Sequence, residues 1–225
     1  MTYPISEIFE SVQGEGTYSG TPMTFIRFAG CNVGRPYLPA DQPMGMPSYR
    51  ERCTTWAGES FPCDTNYRKE WDSTVEGLMI HGAVQRAQRV CLTGGEPLLH
   101  NLVPLIGALH MAGKYIHIET SGTRPLPGGP RVGFRDWVWV TCSPKKDYLL
   151  EVLTAANEIK VLVGAGFNEE KFVAEFRAFL DGGRLFIQPI DDGNSGRHLE
   201  TCLQIQDKYR GVRLSLQLHK IMNMR

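Results

Sequence analysis

The sequence predicts an α/β chain folded as an incomplete (β/α) barrel of about six βα units, with an expanded cysteine-bearing loop after the first strand. Three observations carry this expectation. Short apolar runs alternate with helical patterns, as βα units around a parallel sheet require. A polar or glycine motif follows directly on the apolar runs, where parallel sheets bind their ligands. The chain has 225 residues, and about forty of them form an aperiodic stretch, longer than an ordinary loop. A closed eight-unit barrel typically needs roughly 250 residues. A doubly wound sheet is the competing arrangement. The whole chain, 1–225, reads as one domain, with 31–72 as its irregular loop and insertion.

Each element has its own signal. Residues 24–29 alternate up to Gly30 and read as the first strand. From Cys31 to Asp72 the prolines 36, 39, 43, 47 and 62 argue against a helix. Ser73-Thr74-Val75-Glu76 reads as a capping box opening a helix through about Gln88. Residues 90–92 form a short apolar strand, and 98–111 a helix stopped by Gly113. Residues 115–118, 137–141, 158–163 and 185–187 read as strands. Residues 169–180 and 198–209 read as helices, and 212–218 as a closing strand.

Composition excludes several classes. No apolar run reaches eighteen residues, so nothing reads as a membrane span. The first residues lack a basic region followed by an apolar one, which predicts a cytoplasmic rather than an exported chain. Lys plus Arg number 24 and Asp plus Glu 24. A net charge of zero argues against a protein that follows nucleic-acid backbone. Six cysteines in a chain able to build its own core read as reduced thiols. Cys91, Cys142 and Cys202 lie within apolar or helical patterns and read as buried small hydrophobes.

Cys31, Cys53 and Cys63 differ, because all three lie in the aperiodic stretch, separated by 21 and 9 residues. From spacing alone three readings stay open: an iron–sulfur cluster, a zinc site completed by a distant histidine, and unligated loop cysteines. Gly94-Gly95-Glu96-Pro97 follows the second strand. Its glycines permit close backbone approach to a ligand, and its carboxylate suits an ammonium group. Glu119-Thr120-Ser121-Gly122, Ser143-Pro144-Lys145 and Gln188-Pro189-Ile190-Asp191 follow later strands in the same way.

A cysteine loop after one strand and GGEP after the next resembles the radical S-adenosylmethionine superfamily. The blocks Glu7–Gly16, Phe25–Asn32, Cys63-Asp64-Thr65 and Leu214–Lys220 narrow the resemblance to the 7-carboxy-7-deazaguanine synthase family, with landmarks in the family's order over nearly the whole chain. The resemblance implies a lyase that converts 6-carboxy-5,6,7,8-tetrahydropterin to 7-carboxy-7-deazaguanine with loss of ammonia, in the route to queuosine-type bases. It implies a 4Fe–4S cluster, S-adenosylmethionine, which is cleaved to a 5′-deoxyadenosyl radical and regenerated, and Mg2+. It also implies an electron donor such as flavodoxin, and a homodimer.

By the same resemblance, Cys31, Cys53 and Cys63 hold the cluster and Thr65 ligates Mg2+. Val12, Gln13, Gly14, Arg27, Thr93, His219 and the C-terminal Arg225 meet the substrate, Arg27 through its carboxylate. Gly95, Glu96, Ser143, Pro144, Lys145, Gln188, Pro189, Ile190 and Asp191 meet S-adenosylmethionine. Glu15 and Glu119 are further candidates for the site. Three features depart from the family's pattern. Both cysteine gaps are expanded, Pro62 with Phe61 before it stands where an aromatic residue commonly precedes the last cysteine, and the chain ends in Arg225 rather than proline.

Overall fold

The computed structural model describes residues 1–33, 52–128 and 136–224; Arg225 and the span 34–51 of the cysteine loop lie outside them. Among the described residues nine strands form one sheet. Their ranges are β1 (Thr2–Val12), β2 (Pro22–Phe28), β5 (Trp71–Thr74), β6 (Arg89–Gly94), β7 (Tyr115–Thr120), β8 (Val138–Cys142), β9 (Glu158–Val163), β10 (Leu185–Pro189) and β11 (Arg213–Leu214). The order is β11-β10-β9-β8-β7-β6-β2-β1-β5. From β2 to β11 every pairing is parallel, whereas β1 runs antiparallel to both β2 and β5. Among the described residues β11 and β5 are free edges, so the sheet is open. The remaining strands, β3 (Arg52–Thr54) and β4 (Ser60–Pro62), form a separate antiparallel hairpin inside the cysteine loop.

The helices are α1 (Val75–Ile80), α2 (Gly82–Arg86), α3 (Val103–Met111), α4 (Leu150–Ala155), α5 (Glu169–Phe176), α6 (Ser195–Lys208) and α7 (Leu218–Ile221). None is long and apolar enough to cross a membrane. Strands of a parallel sheet covered on both faces usually read as unbroken apolar runs. Here the side chains alternate. Ile26, Leu92, Ile118 and Val140 stand in register, and with Ile159 and Ile187 they belong to the main core. Burying each such side chain contributes ~1.5–3 kcal/mol. The opposite face carries Arg27, Thr93, Glu119, Thr141, Glu158, Lys160 and Gln188. Towards the strands' N-terminal ends that polar face is closed by aromatic packing. The Tyr18 ring stands edge-on to His117 at 4.7 Å and Trp139 at 4.9 Å, and the Arg89 guanidinium lies over Tyr18 and Tyr115.

Several elements differ from the sequence expectation. β1 has no counterpart there, because a bulge between Ile5 and Glu7 shifts its alternation by one residue. The helix expected over 73–88 is two helices that break at His81, and its cap is Thr74, whose Oγ1 accepts from the Gly77 N–H at 3.0 Å. The helix expected over 98–111 begins as a 3-10 turn over Pro97–Leu99. α3 starts afresh with Pro104 in its first turn, where a missing N–H costs nothing. The helix over 169–180 tightens into a 3-10 turn after Phe176. Of the expected strand 212–218 only Arg213–Leu214 pairs; the chain then turns into α7.

His117 is 4% exposed, and burial, aided by the nearby Arg89 charge, pushes its pKa down to about 4. The unfolded chain therefore binds a proton here between about pH 6.5 and 4 that the folded chain refuses. Stability should fall by about 3 kcal/mol as pH drops through that window. Urea unfolding at pH 7 and 4.5 should show a smaller acid loss in His117→Gln than in the parent.

Candidate active site

The polar face opens, at the C-terminal ends of the strands, into a cavity of about 440 Å3. Its entrance is built by close backbone approach. A Cβ on Gly94 would stand 2.4 Å from the Phe28 carbonyl oxygen, and one on Gly95 would stand 2.2 Å from that of Gly30. The Glu96 N–H donates to the Gly30 carbonyl at 3.0 Å. The GGEP turn is thus stitched to the residues that launch the cysteine loop.

Glu96 itself does not reach the cavity. It is 0% exposed, and its carboxylate accepts from the Leu98 N–H at 3.0 Å, the Thr120 hydroxyl at 2.8 Å, the Ser121 N–H at 2.7 Å and the Ser121 hydroxyl. Four donors fill a carboxylate's accepting positions, and these bonds hold the GGEP turn to the end of β7. Pro144 is likewise buried away from the cavity wall.

The floor is a set of linked carboxylates. Glu119 accepts from Gln13 Nε2 at 3.0 Å and from the Thr93 hydroxyl at 2.9 Å. Glu15 accepts from Gln188 Nε2 at 3.1 Å, from Gln217 Nε2 at 2.9 Å and from Lys160 Nζ. Burial pushes the Lys160 ammonium down to about 8, as expected of a cation taken from water. Glu158 accepts from the Thr17 N–H at 2.7 Å, and burial raises its pKa. The amide of Gln188 is held by Glu15 and by Ser215, whose hydroxyl donates to it at 2.8 Å. Lys160, Glu158 and Gln217 are absent from the sequence-derived set. The signal for the first two is Glu158-Ile-Lys160-Val, where charges interrupt a β-branched run at every second position.

Arg27 also lines the cavity. Glu7 engages its Nε, at 2.7 Å, and Phe9 lies beneath its guanidinium. Val12 and Gly14 border the same space. A Cβ on Gly14 would collide with the His219 ring, so only glycine admits the C-terminal segment here. Burial, then the Lys220 charge, lower the pKa of His219. Lys220 bridges Asp64, after the last loop cysteine, to Asp191 at 3.4 Å. Gly95, Ser143, Lys145, Pro189, Ile190 and Asp191 line the side beneath β8, β9 and β10, where Lys145 Nζ donates to the Ser143 hydroxyl at 2.7 Å.

Cys31, Cys53 and Cys63 all border the cavity. Among the described residues, no three His, Cys, Asp or Glu side chains are drawn close enough together to hold a metal ion; the thiols share a wall without forming a finished ligand set. Burial pushes Cys63 up to about 11, opposed by the Thr65 N–H it accepts. Burial also pushes Cys142 and Cys202 up to about 12, and Cys91 well above the ordinary thiol value. The Thr65 hydroxyl lies on the cavity wall, 3.4 Å from Asp64 Oδ1. Among the described residues, Tyr67 Oη is the one buried side-chain polar atom without a partner, and its residue lines this cavity too.

The obstacle at Gly95 is backbone, which cannot swing aside. Gly95→Ala should therefore destabilise by ~1–3 kcal/mol, the usual cost of overpacking, and should speed alkylation of Cys31 as the loop is pushed off the β6 end. Thermal unfolding and thiol-labelling rates measure both.

No family model matches the chain. Curated relatives do, end to end. The chain is 36% identical over 225 residues to the 7-carboxy-7-deazaguanine synthase of Bacteroides thetaiotaomicron, covering 100% of both. It is 36% identical over 239 residues to that of Burkholderia multivorans and 34% over 238 to that of Escherichia coli, again with full coverage. Among solved structures, a crystal structure of QueE from Escherichia coli superposes with a TM-score of 0.70 at 30% identity, covering 97% of this chain and 95% of that one. Identity above 30% over the full length, a shared fold and a polar cavity at the strand ends agree: the chain belongs to the 7-carboxy-7-deazaguanine synthase family.

Proposed function

We propose that this chain is a radical S-adenosylmethionine enzyme, a carbon–nitrogen lyase that converts 6-carboxy-5,6,7,8-tetrahydropterin to 7-carboxy-7-deazaguanine with release of ammonia. One observation carries the reading. Three cysteines spread over more than thirty residues reach the wall of one cavity whose floor is Gln13, Arg27, Thr93 and Glu119. The open sheet, seven of whose strands are parallel, is read as the wall of an incomplete (β/α) barrel.

Cys31, Cys53 and Cys63 would hold a 4Fe–4S cluster. Three thiols on one wall fit a group that takes three protein ligands and leaves one iron for a small molecule. Bound there, the cluster supplies the one-electron chemistry on S-adenosylmethionine that opens the substrate C6–H bond. The chain's own groups do the rest. Arg27, steadied through Nε by Glu7, brings its fork of donors to the cavity for the substrate carboxylate. Glu119 and Glu15 present carboxylate oxygens to the N–H groups of the pterin ring, and Gln13 and Thr93 are oriented by Glu119. Val12, Gly14 and His219 complete that pocket. Gly95, Ser143, Lys145, Gln188, Pro189, Ile190 and Asp191 form the S-adenosylmethionine side, while Glu96 and Pro144 hold the turns in place. Thr65 offers its hydroxyl to Mg2+, an ion that keeps waters and takes substrate oxygens. A flavodoxin-type electron donor, a homodimer and a cytoplasmic setting belong to the same reading.

Anaerobic purification with iron and sulfide analysis, then conversion of the carboxypterin followed by mass spectrometry, tests it. A brown protein that forms the deazaguanine is expected. A colourless protein that takes up no iron on reconstitution would overturn the reading.

Arg27→Ala should weaken the carboxypterin by ~2–5 kcal/mol, as expected for one partner of a desolvated charge pair, and leave S-adenosylmethionine binding nearly unchanged. Calorimetric titration of the two ligands checks this; equal losses would remove Arg27 from the substrate side.

A further inference from the structure

Nine residues separate Cys53 from Cys63, yet the β3–β4 hairpin folds that spacer back on itself. Cys53 pairs with Phe61 and Arg52 with Pro62, so Cys63 follows the last paired residue. Residues 53 and 63 are then diagonal neighbours on one face of the hairpin, a relation that sets residues ~7–8 Å apart. Strands of three residues cannot hold such a hairpin in water. Something else must fix it.

Its tip is fixed twice. Within the turn, the Gly58 N–H donates to the Thr55 carbonyl at 3.0 Å and the Glu59 N–H to the Thr55 hydroxyl at 3.1 Å. Gly58 takes a positive φ of +86°, as a glycine readily does. Beyond the turn, two side chains dock on the main body. The Trp56 indole stands edge-on to Phe176, centroids 5.2 Å apart, and Phe176 is fully buried in the main core. The Glu59 carboxylate settles into Gly164-Ala165-Gly166, the turn that follows β9. The Gly166 N–H donates to Glu59 Oε1 at 2.9 Å, and a Cβ on Gly164 would stand 2.8 Å from Oε2. Two glycines therefore leave the space that this one carboxylate fills.

We propose that the hairpin is a docked strut and that Trp56 and Glu59 are positioning residues that set Cys53 beside Cys63. This rests on the reading that those cysteines hold the cluster. The strut lets a long spacer do the work of a short one, because the thiols are neighbours in space although distant in sequence.

The test uses the full-length reduced, cluster-free protein and Cd2+ as the probe, followed by its thiolate absorption, with Cys53 alkylation followed by mass spectrometry. Losing a charge-assisted hydrogen bond should loosen the tip about tenfold or more. Glu59→Ala should then alkylate at Cys53 about tenfold faster, bind Cd2+ about tenfold more weakly and retain less iron after anaerobic reconstitution, with cooperative unfolding of the main sheet preserved. Glu59→Gln, which keeps an acceptor oxygen, should restore much of this, and Trp56→Phe should outperform Trp56→Ala. If Trp56→Ala fails to fold, the Glu59 pair alone decides. Parent-like alkylation and Cd2+ affinity in Glu59→Ala overturn the strut. Cys53→Ala separates the two ideas: full iron content in that variant sinks the cluster assignment, whereas lost iron there beside a parent-like Glu59→Ala sinks only the strut.

Discussion

A fully buried carboxylate that must be satisfied by protein groups alone organises the top of this sheet. An unpaired charge in such a place would be prohibitively costly, so Glu96 dictates where its donors stand. They come from its own 3-10 turn and from Thr120 and Ser121 at the end of β7, while its N–H reaches back to Gly30 after β2. One residue therefore fixes the relative heights of three strand ends. The cysteine loop leaves from one of them, the GGEP turn from the second and the Glu119 segment from the third. The cavity inherits its shape from that agreement.

Below this knot, the same economy governs polarity. Along β6 to β10 the main-core side chains alternate with those of the polar face, so core and site are built by the same strands read at alternate positions. Glu119, Glu15 and Glu158 each have protein partners. Glu119 orients Gln13 and Thr93, and Glu15 gathers Lys160, Gln188 and Gln217 from β9, β10 and the segment after β11. Such a network is rigid when complete, and rigidity here means that donors and acceptors are set before a ligand arrives. Among the described residues, the Tyr67 hydroxyl, left without a partner, stands out against this accounting.

Much of this was legible in the sequence, and what was hidden was hidden for local reasons. The strands from 158 and 185 were readable because β-branched and aromatic residues cluster between turn signals. β1 was not, because a bulge shifts its period and Pro4 lies inside it. Helix limits moved where glycine or proline interrupts a hydrogen-bond ladder, at Gly82 and Pro104. In the site, motifs following strands were visible as Gly, Ser and Pro punctuation. Lys160 and Glu158 lie inside a strand, and only the broken apolar alternation announces them. The partners of Glu96 were hidden for a chemical reason: a carboxylate beside two glycines looks offered to a ligand, and nothing in the local sequence says that Ser121, 25 residues on, donates to it.

The cysteines make the general point most sharply. Ligand spacing is informative when the intervening chain is too short to fold, because a two- or three-residue gap leaves one way to bring the thiols together. A nine-residue gap has enough chain to make a turn of its own, and here it does, with Thr55 and Gly58 closing the bend and Cys53 opposite Phe61. The spacing then ceases to report distance. What replaces it is whatever docks the inserted piece, and that lies elsewhere in the chain, in a Gly-Ala-Gly turn and a buried phenylalanine. A loop of this length can therefore keep its ligands in place only if residues outside the loop make room for it, and Gly164 and Gly166, each lacking the side chain that would fill the Glu59 cradle, do so in this chain.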